Sequence, residues 1–276
     1  MKKPRILRAA LPGPDARLFA MTARHVRPAG RIATALCLLS LAGCATVEHK
    51  APGPRAEPAP GSRVIQVQGQ RQRLVTIALQ EWTLWGSPRI DLSGRLVPAS
   101  RSEFDPDFTS RVLMYWFVIR GSEFPTDKMR LGDGSLLPWS AVFVSYLMHA
   151  AGVPREVFMP SPRHWDYIKR IHDFPNPAGF EALDARLAAP RVGDIICATR
   201  SWTSGQVTSF AQLASNDSRG TYHCDLVVRV SPGLLGAIGG NVRDAVTWTD
   251  VRLDANGLLQ PTPGRPWLVV LRNNLP

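Results

Sequence analysis

The apolar residues of this chain change their spacing at Pro190, and that change narrows the folds open to it. Upstream they recur every three or four residues, the period of a helix packed on one face. Leu74, Ile77, Ala78, Trp82 and Trp85 follow that period over residues 71–85, and Gly86 stops it. The spacing predicts further helices over 108–119, which is apolar enough to be buried, and over 140–151, closed by Gly152 and Pro154. Shorter ones are expected at 164–171 and 178–187. Downstream, short blocks bounded by Gly, Pro and Asn read as strands at 194–199, 222–230, 234–238, 245–253 and 267–271. Helices first and strands second indicate an α+β domain, with N-terminal helices packed on an antiparallel sheet. The polar stretch 200–221 is an insertion between strands, the kind of loop that serves as a lid or binding loop.

The first 62 residues do not contribute to that pattern. Arg24, Arg27 and Arg31 precede an apolar run from Ile32 to Ala42, which ends in Leu39-Ser40-Leu41-Ala42-Gly43-Cys44. A basic head, a short apolar core and small residues at the end form a secretory signal. The run is too short for a bilayer span, which needs roughly 20 apolar residues. Its Leu-Ala-Gly-Cys ending resembles the bacterial lipobox, which implies acylation of Cys44 as the first mature residue. Met21 opens a compact signal head, so translation is expected to start there. Three segments follow: residues 1–43 as signal, 44–62 as lipidated Cys and Pro/Ala-rich tether, and 63–276 as the folded domain. With Ala45 after the Cys, the lipoprotein resemblance implies an outer-membrane anchor with the domain facing the periplasm.

Charge follows the same division. The formal net charge is +11, but eight bases and one acid precede Cys44, so the mature chain carries +4. That value gives no support to nucleic-acid binding. Of four cysteines, Cys37 leaves with the signal and Cys44 takes lipid, so Cys197 and Cys224 remain in the domain. An oxidising compartment permits a bridge between them, and two small core residues are the other reading. No cluster has metal-ligand spacing, and neither metal nor cofactor is expected.

Four segments carry the chemistry: Pro138-Trp139-Ser140-Ala141-Val142-Phe143-Val144, Arg191-Val192-Gly193-Asp194-Ile195-Ile196, His223-Cys224-Asp225-Leu226-Val227-Val228 and Ile238-Gly239-Gly240-Asn241. Their order and spacing resemble the papain-like cell-wall amidases and peptidases of the CHAP and NlpC types. More narrowly, the span 74–271 is similar to a bacterial family, domain of unknown function 2272. The resemblance implies a papain-like fold and a nucleophile at the start of the 140–151 helix. It also implies a strand His as base, and a Gly-Gly-Asn segment supplying its orienting residue. Peptides of peptidoglycan are then the expected partner.

The chain departs from those enzymes at the nucleophile, where Ser140 replaces Cys. A helix N-terminus and a nearby His lower a Cys pKa from about 8.5 to roughly 3.5–7.5. A Ser hydroxyl is not ionised by the same field and needs a base to take its proton during attack. The resemblance assigns Ser140 as nucleophile and His223 as base, with Asn241 or Asp225 as orienter, since alternation puts Asp225 on the His223 face. Trp139 and His164 are expected beside the substrate. Taken singly, Ser140 is a favoured N-cap, His223 a core histidine and Gly239-Gly240-Asn241 a turn signal. Two functions follow: amide hydrolysis in peptidoglycan peptides, or a silent peptidoglycan-binding or scaffold lipoprotein. An esterase would use the same residues.

Overall fold

The computed structural model describes residues 69–97, 101–121, 126–200, 207–215, 219–262 and 265–276. The signal, Cys44 and the tether lie outside the described residues. Helix α1 (Gln70–Leu84) is followed by two short strands, β1 (Arg89–Ile90) and β2 (Leu96–Val97), and by α2 (Pro106–Arg120). Then come α3 (Ser140–Ala150), α4 (His164–Asp173), β3 (Phe180–Asp184) and β4 (Ile195–Thr199). Strands β5 (Tyr222–Ser231), β6 (Leu234–Val242), β7 (Ala245–Arg252) and β8 (Trp267–Asn273) complete the chain. The eight strands form one sheet in the order β2-β1-β7-β6-β5-β4-β8-β3. Every neighbouring pair is antiparallel except β1 with β7. The domain is mixed α/β: all four helices precede Pro190 and the strands β4 to β8 follow it, while β1, β2 and β3 are short strands contributed from the helical part.

Helix α3 is the centre of the core. Ala141, Val142, Phe143, Val144, Leu147 and Met148 are all buried, so no broad face of this helix meets water until its last turn. Truncating a buried aromatic such as Phe143 to Ala costs about 3–5 kcal/mol. Trp85, Trp139 and Tyr115 pack together beside it, with the Trp85 and Trp139 rings stacked at 5.4 Å. Two buried carboxylates tie these aromatics down. Glu81 accepts hydrogen bonds from Arg111, from the Tyr115 hydroxyl at 2.6 Å and from the Tyr146 hydroxyl at 3.0 Å. Glu103 accepts the Trp139 Nε1–H at 2.5 Å and the Leu136 N–H at 3.1 Å. The loop entering α3 is therefore fixed one residue before Ser140.

Two expectations need correction. Residues 178–187 do not form a helix. Phe180–Asp184 is the edge strand β3, paired along its length with β8 from Phe180↔Asn273 to Asp184↔Val269. Glu181, Ala182 and Leu183 favour helix locally, but that preference is worth only tenths of a kcal/mol per residue. The β8 ladder and the burial of Phe180 against Phe158 outweigh it. Helix α2 is amphipathic rather than buried all round: Val112, Tyr115 and Trp116 face inward, while Met114 and Phe117 are 44% and 40% exposed.

The start of β4 is set by Gly193 and Asp194. Gly193 has φ +93°, a conformation that favours glycine, and a Cβ there would lie 2.4 Å from the Arg71 side chain. Asp194, fully buried, accepts the Arg191 N–H at 2.8 Å and the Asn273 N–H at 2.9 Å, and pairs with Arg272. It joins the turn just before β4 to the end of β8. Cys197 and Cys224 are direct register partners on β4 and β5 and form a disulfide. No helix of the described residues is long and apolar enough to cross a membrane.

Candidate active site

Ser140 opens α3, and its partner is supplied by α4. Ser140 Oγ lies 2.5 Å from Nε2 of His164, the first residue of α4, and both residues are only 5% exposed. The other ring nitrogen, His164 Nδ1, meets the Tyr167 hydroxyl one helical turn on. Helix α4 is brought to α3 by a buried serine pair. Ser145 Oγ accepts the Ser161 N–H at 3.1 Å, and its own proton lies between Ala141 O at 2.9 Å and Ser161 O at 3.1 Å. Ser161 Oγ then donates to Asp166 Oδ2 at 2.5 Å and accepts the Arg163 N–H at 3.1 Å. The turn into α4 is thus tied at both ends before His164 begins the helix.

His223 sits next to this pair. Its ring centroid is 5.6 Å from that of His164, edge to face. His223 Nε2 is 2.7 Å from Asp225 Oδ1, and Arg265 Nη1 is 2.6 Å from Asp225 Oδ2. Asp225 is fully buried; burial alone would raise its pKa, but its partners His223, which hydrogen-bonds to it, and Arg265 prevail and hold it well below the usual carboxylate range. An ionised carboxylate only accepts, so His223 Nε2 carries the proton and Nδ1 is left with a lone pair. That Nδ1 is buried and has no hydrogen-bond partner.

The Gly239-Gly240 doublet is what lets these groups approach. A Cβ on Gly239 would lie 1.8 Å from Asp225 Oδ1 and 3.0 Å from His223 Nε2. A Cβ on Gly240 would lie 2.4 Å from Phe143 Cβ and 2.8 Å from the Trp139 ring. Successive strand residues point to opposite faces. One glycine therefore makes room for the His-Asp pair and the other for the start of α3, across the thickness of β6. The doublet lies inside β6, which runs past the expected end at Ile238. Asn241 has φ +55° and, with His223, lines a cavity of about 440 Å³. Ser140 and His164 line a second cavity of about 240 Å³, and Arg200 is in the wall of both.

Burial and charge keep both histidines neutral. Burial pushes His164 well below its ordinary 6.5; His223 and Arg200 push it further, and Asp225 opposes them. Burial also lowers His223, with Arg265 and Arg200 adding to it and Asp225 resisting. Tyr167 is raised well above 10 by burial and by Asp225, so it stays a neutral hydroxyl. In the tautomer with the proton on His164 Nδ1, that N–H donates to Tyr167 and Nε2 accepts the Ser140 hydroxyl proton. The arrangement can therefore hold a serine ready for deprotonation.

The expected residues are distributed as follows. Ser140 and His164 bond directly, His223 and Asp225 bond directly, and the two pairs meet where the His164 and His223 rings touch edge to face. Asp225, not Asn241, is the partner the structure gives to His223 Nε2. Trp139, expected beside substrate, is fully buried and bonded to Glu103. Trp165 and Arg219 line the Ser140 cavity instead, with the Arg219 guanidinium 5.0 Å from the Trp165 ring centroid. Sequence reasoning gave Tyr167 no part in orienting His164, although its i,i+3 spacing from His164 on a helix was a usable signal.

Fold and site together define a mixed α/β domain with a buried Ser-His pair at a helix N-terminus, beside a His-Asp-Arg cluster. Residues 110–273 match the family described as an uncharacterized protein conserved in bacteria, DUF2272, and the chain belongs to that family. The match begins within α2, so α1, β1 and β2 lie outside it, a narrower span than the 74–271 expected. Neither the proteins of curated function nor the solved structures include a match to the chain.

Proposed function

We propose that this domain is a papain-like hydrolase with a serine nucleophile, carried on an outer-membrane lipoprotein and acting on amide bonds in peptidoglycan peptides. The observation that carries the reading is the 2.5 Å contact between Ser140 Oγ and His164 Nε2 at the first turn of α3. The order of a nucleophile-bearing helix before an antiparallel sheet with a His-Asp pair supports the papain-like part. The base in direct contact with Ser140 is His164, not the His223 that the motif alone suggested.

The chemistry is acyl transfer. Ser140 Oγ bonds to the substrate carbonyl carbon while its proton passes to His164 Nε2. First-turn amides of α3 have no acceptor within the helix and would serve as donors for the oxyanion. The C–N bond then breaks, and His164 returns the proton to the leaving amine. Water attacks the acyl carbon and gives a proton to His164, which passes it to Ser140 Oγ as the acyl C–O bond breaks and the carboxylic acid product leaves. Tyr167 orients His164, and the Asp225 anion offsets part of the charge that His164 gains.

A silent binding domain is the second reading, favoured by one observation: Tyr167, not a carboxylate, orients His164, and burial weakens His164 as a base. Incubating purified cell wall with the lipid-free domain and comparing fragments by mass spectrometry separates the two. The proposal expects new amine and carboxylate ends with wild type and none with Ser140→Ala. Wall that binds the domain and stays uncut would favour the silent reading.

A further inference from the structure

The larger cavity has a composition that its neighbour lacks. Arg200, Arg243 and Arg265 line it with His223, Thr249 and Asn241, and among the described residues in its wall there is no Asp or Glu. Asp225, the carboxylate against Arg265, has both oxygens taken, Oδ1 by His223 and Oδ2 by Arg265. Burial lowers the Arg200 pKa and the Arg265 charge lowers it further, against the pull of Asp225. Two further polar atoms in the wall residues are unsatisfied, His223 Nδ1 and Thr249 Oγ1; both are buried and neither has a hydrogen-bond partner. Buried polar groups in native proteins are almost always paired, so two in one wall call for an explanation. Guanidiniums hold carboxylate and phosphate oxygens bidentately, and a carboxylate is the anion that a peptide carries.

We infer that this cavity binds a carboxylate of the substrate, so that the peptide cut at Ser140 is an acidic one. This deepens the hydrolase reading and rests on it for the word substrate. Arg200, in the wall of both cavities, joins the carboxylate pocket to the Ser140 pocket.

The test is calorimetric titration of the full chain with N-acetyl-alanyl-glutamate, with the corresponding neutral glutamine amide, and with inorganic phosphate. The same samples are treated with a serine-directed fluorophosphonate. The acidic peptide should bind about tenfold or more tightly than the neutral one, the scale of a charge-assisted pair. Arg243→Gln, an exposed position in the wall, should remove about three- to tenfold of that preference, and Ser140→Ala should leave it intact. Equal binding of both peptides, or no effect of Arg243→Gln, overturns the inference. Phosphate that outcompetes the acidic peptide overturns the assignment to a peptide. Labelled Ser140 without acid preference sinks the carboxylate pocket and leaves the hydrolase; acid preference with unlabelled Ser140 does the reverse.

Discussion

A glycine decides whether the His223–Asp225 pair can exist. Asp225 is held by two partners and cannot swing away from a new methyl group at position 239. Gly239→Ala should therefore cost about 1–3 kcal/mol, the usual penalty for overpacking, read as a lower denaturation midpoint. Gly132→Ala, where a Cβ would meet nothing within 4 Å, should change stability by no more than about 0.5 kcal/mol. The histidines give a second prediction at this scale. Both have pKa values lowered on folding, so the unfolded chain takes up protons near 6.5 while the folded chain resists them. Stability is then full above 6.5 and falls as the pH drops through and below it. Thermal midpoints should be level between about pH 7 and 8 and decline below about 6.5, less steeply in His164→Gln. A midpoint that rises on acidification would contradict the assignment.

At the scale of elements, the site depends on how α4 is docked to α3. Ser145, fully buried on α3, holds the Ser161 backbone and so places His164 against Ser140. Ser145→Ala should cost about 1–2 kcal/mol and should slow labelling of Ser140 although neither catalytic group is touched. Ser110→Ala, whose hydroxyl is exposed on α2, should do neither. Much of this architecture was legible in the sequence. Helices α1 to α4 and the five long strands follow apolar periods strong enough to survive any local ambiguity. Strand β3 was not legible, because its helix-forming residues are overruled by a partner nearly ninety residues away. The same limit hid the contact between Ser140 and His164. Motif order brought Ser140, His223 and the Gly-Gly-Asn segment forward, but the docking of α4 depends on Ser145 and Ser161, ordinary residues with no distinctive spacing. Trp139 was misplaced for a related reason: an aromatic beside a nucleophile reads equally as wall or as core until Glu103 is seen to hold it.

For the whole molecule, the domain's chemistry and its location are separate questions. The reading that Cys44 carries lipid predicts that Cys44→Ala leaves the membrane fraction, and that blocking the lipoprotein signal peptidase accumulates a precursor. Fractionation and intact mass would check both, and a Cys44→Ala chain retained in the membrane would remove the anchor. Within the domain, the central claim is that His164 activates Ser140. Fluorophosphonate labelling followed by peptide mass spectrometry tests this most directly, in wild type, His164→Ala and His223→Ala. Labelling confined to Ser140 is expected in wild type, with at least about a hundredfold loss in His164→Ala, the scale of general-base catalysis, and a smaller loss in His223→Ala. Undiminished labelling in His164→Ala, or no labelling of wild-type Ser140, would contradict the account.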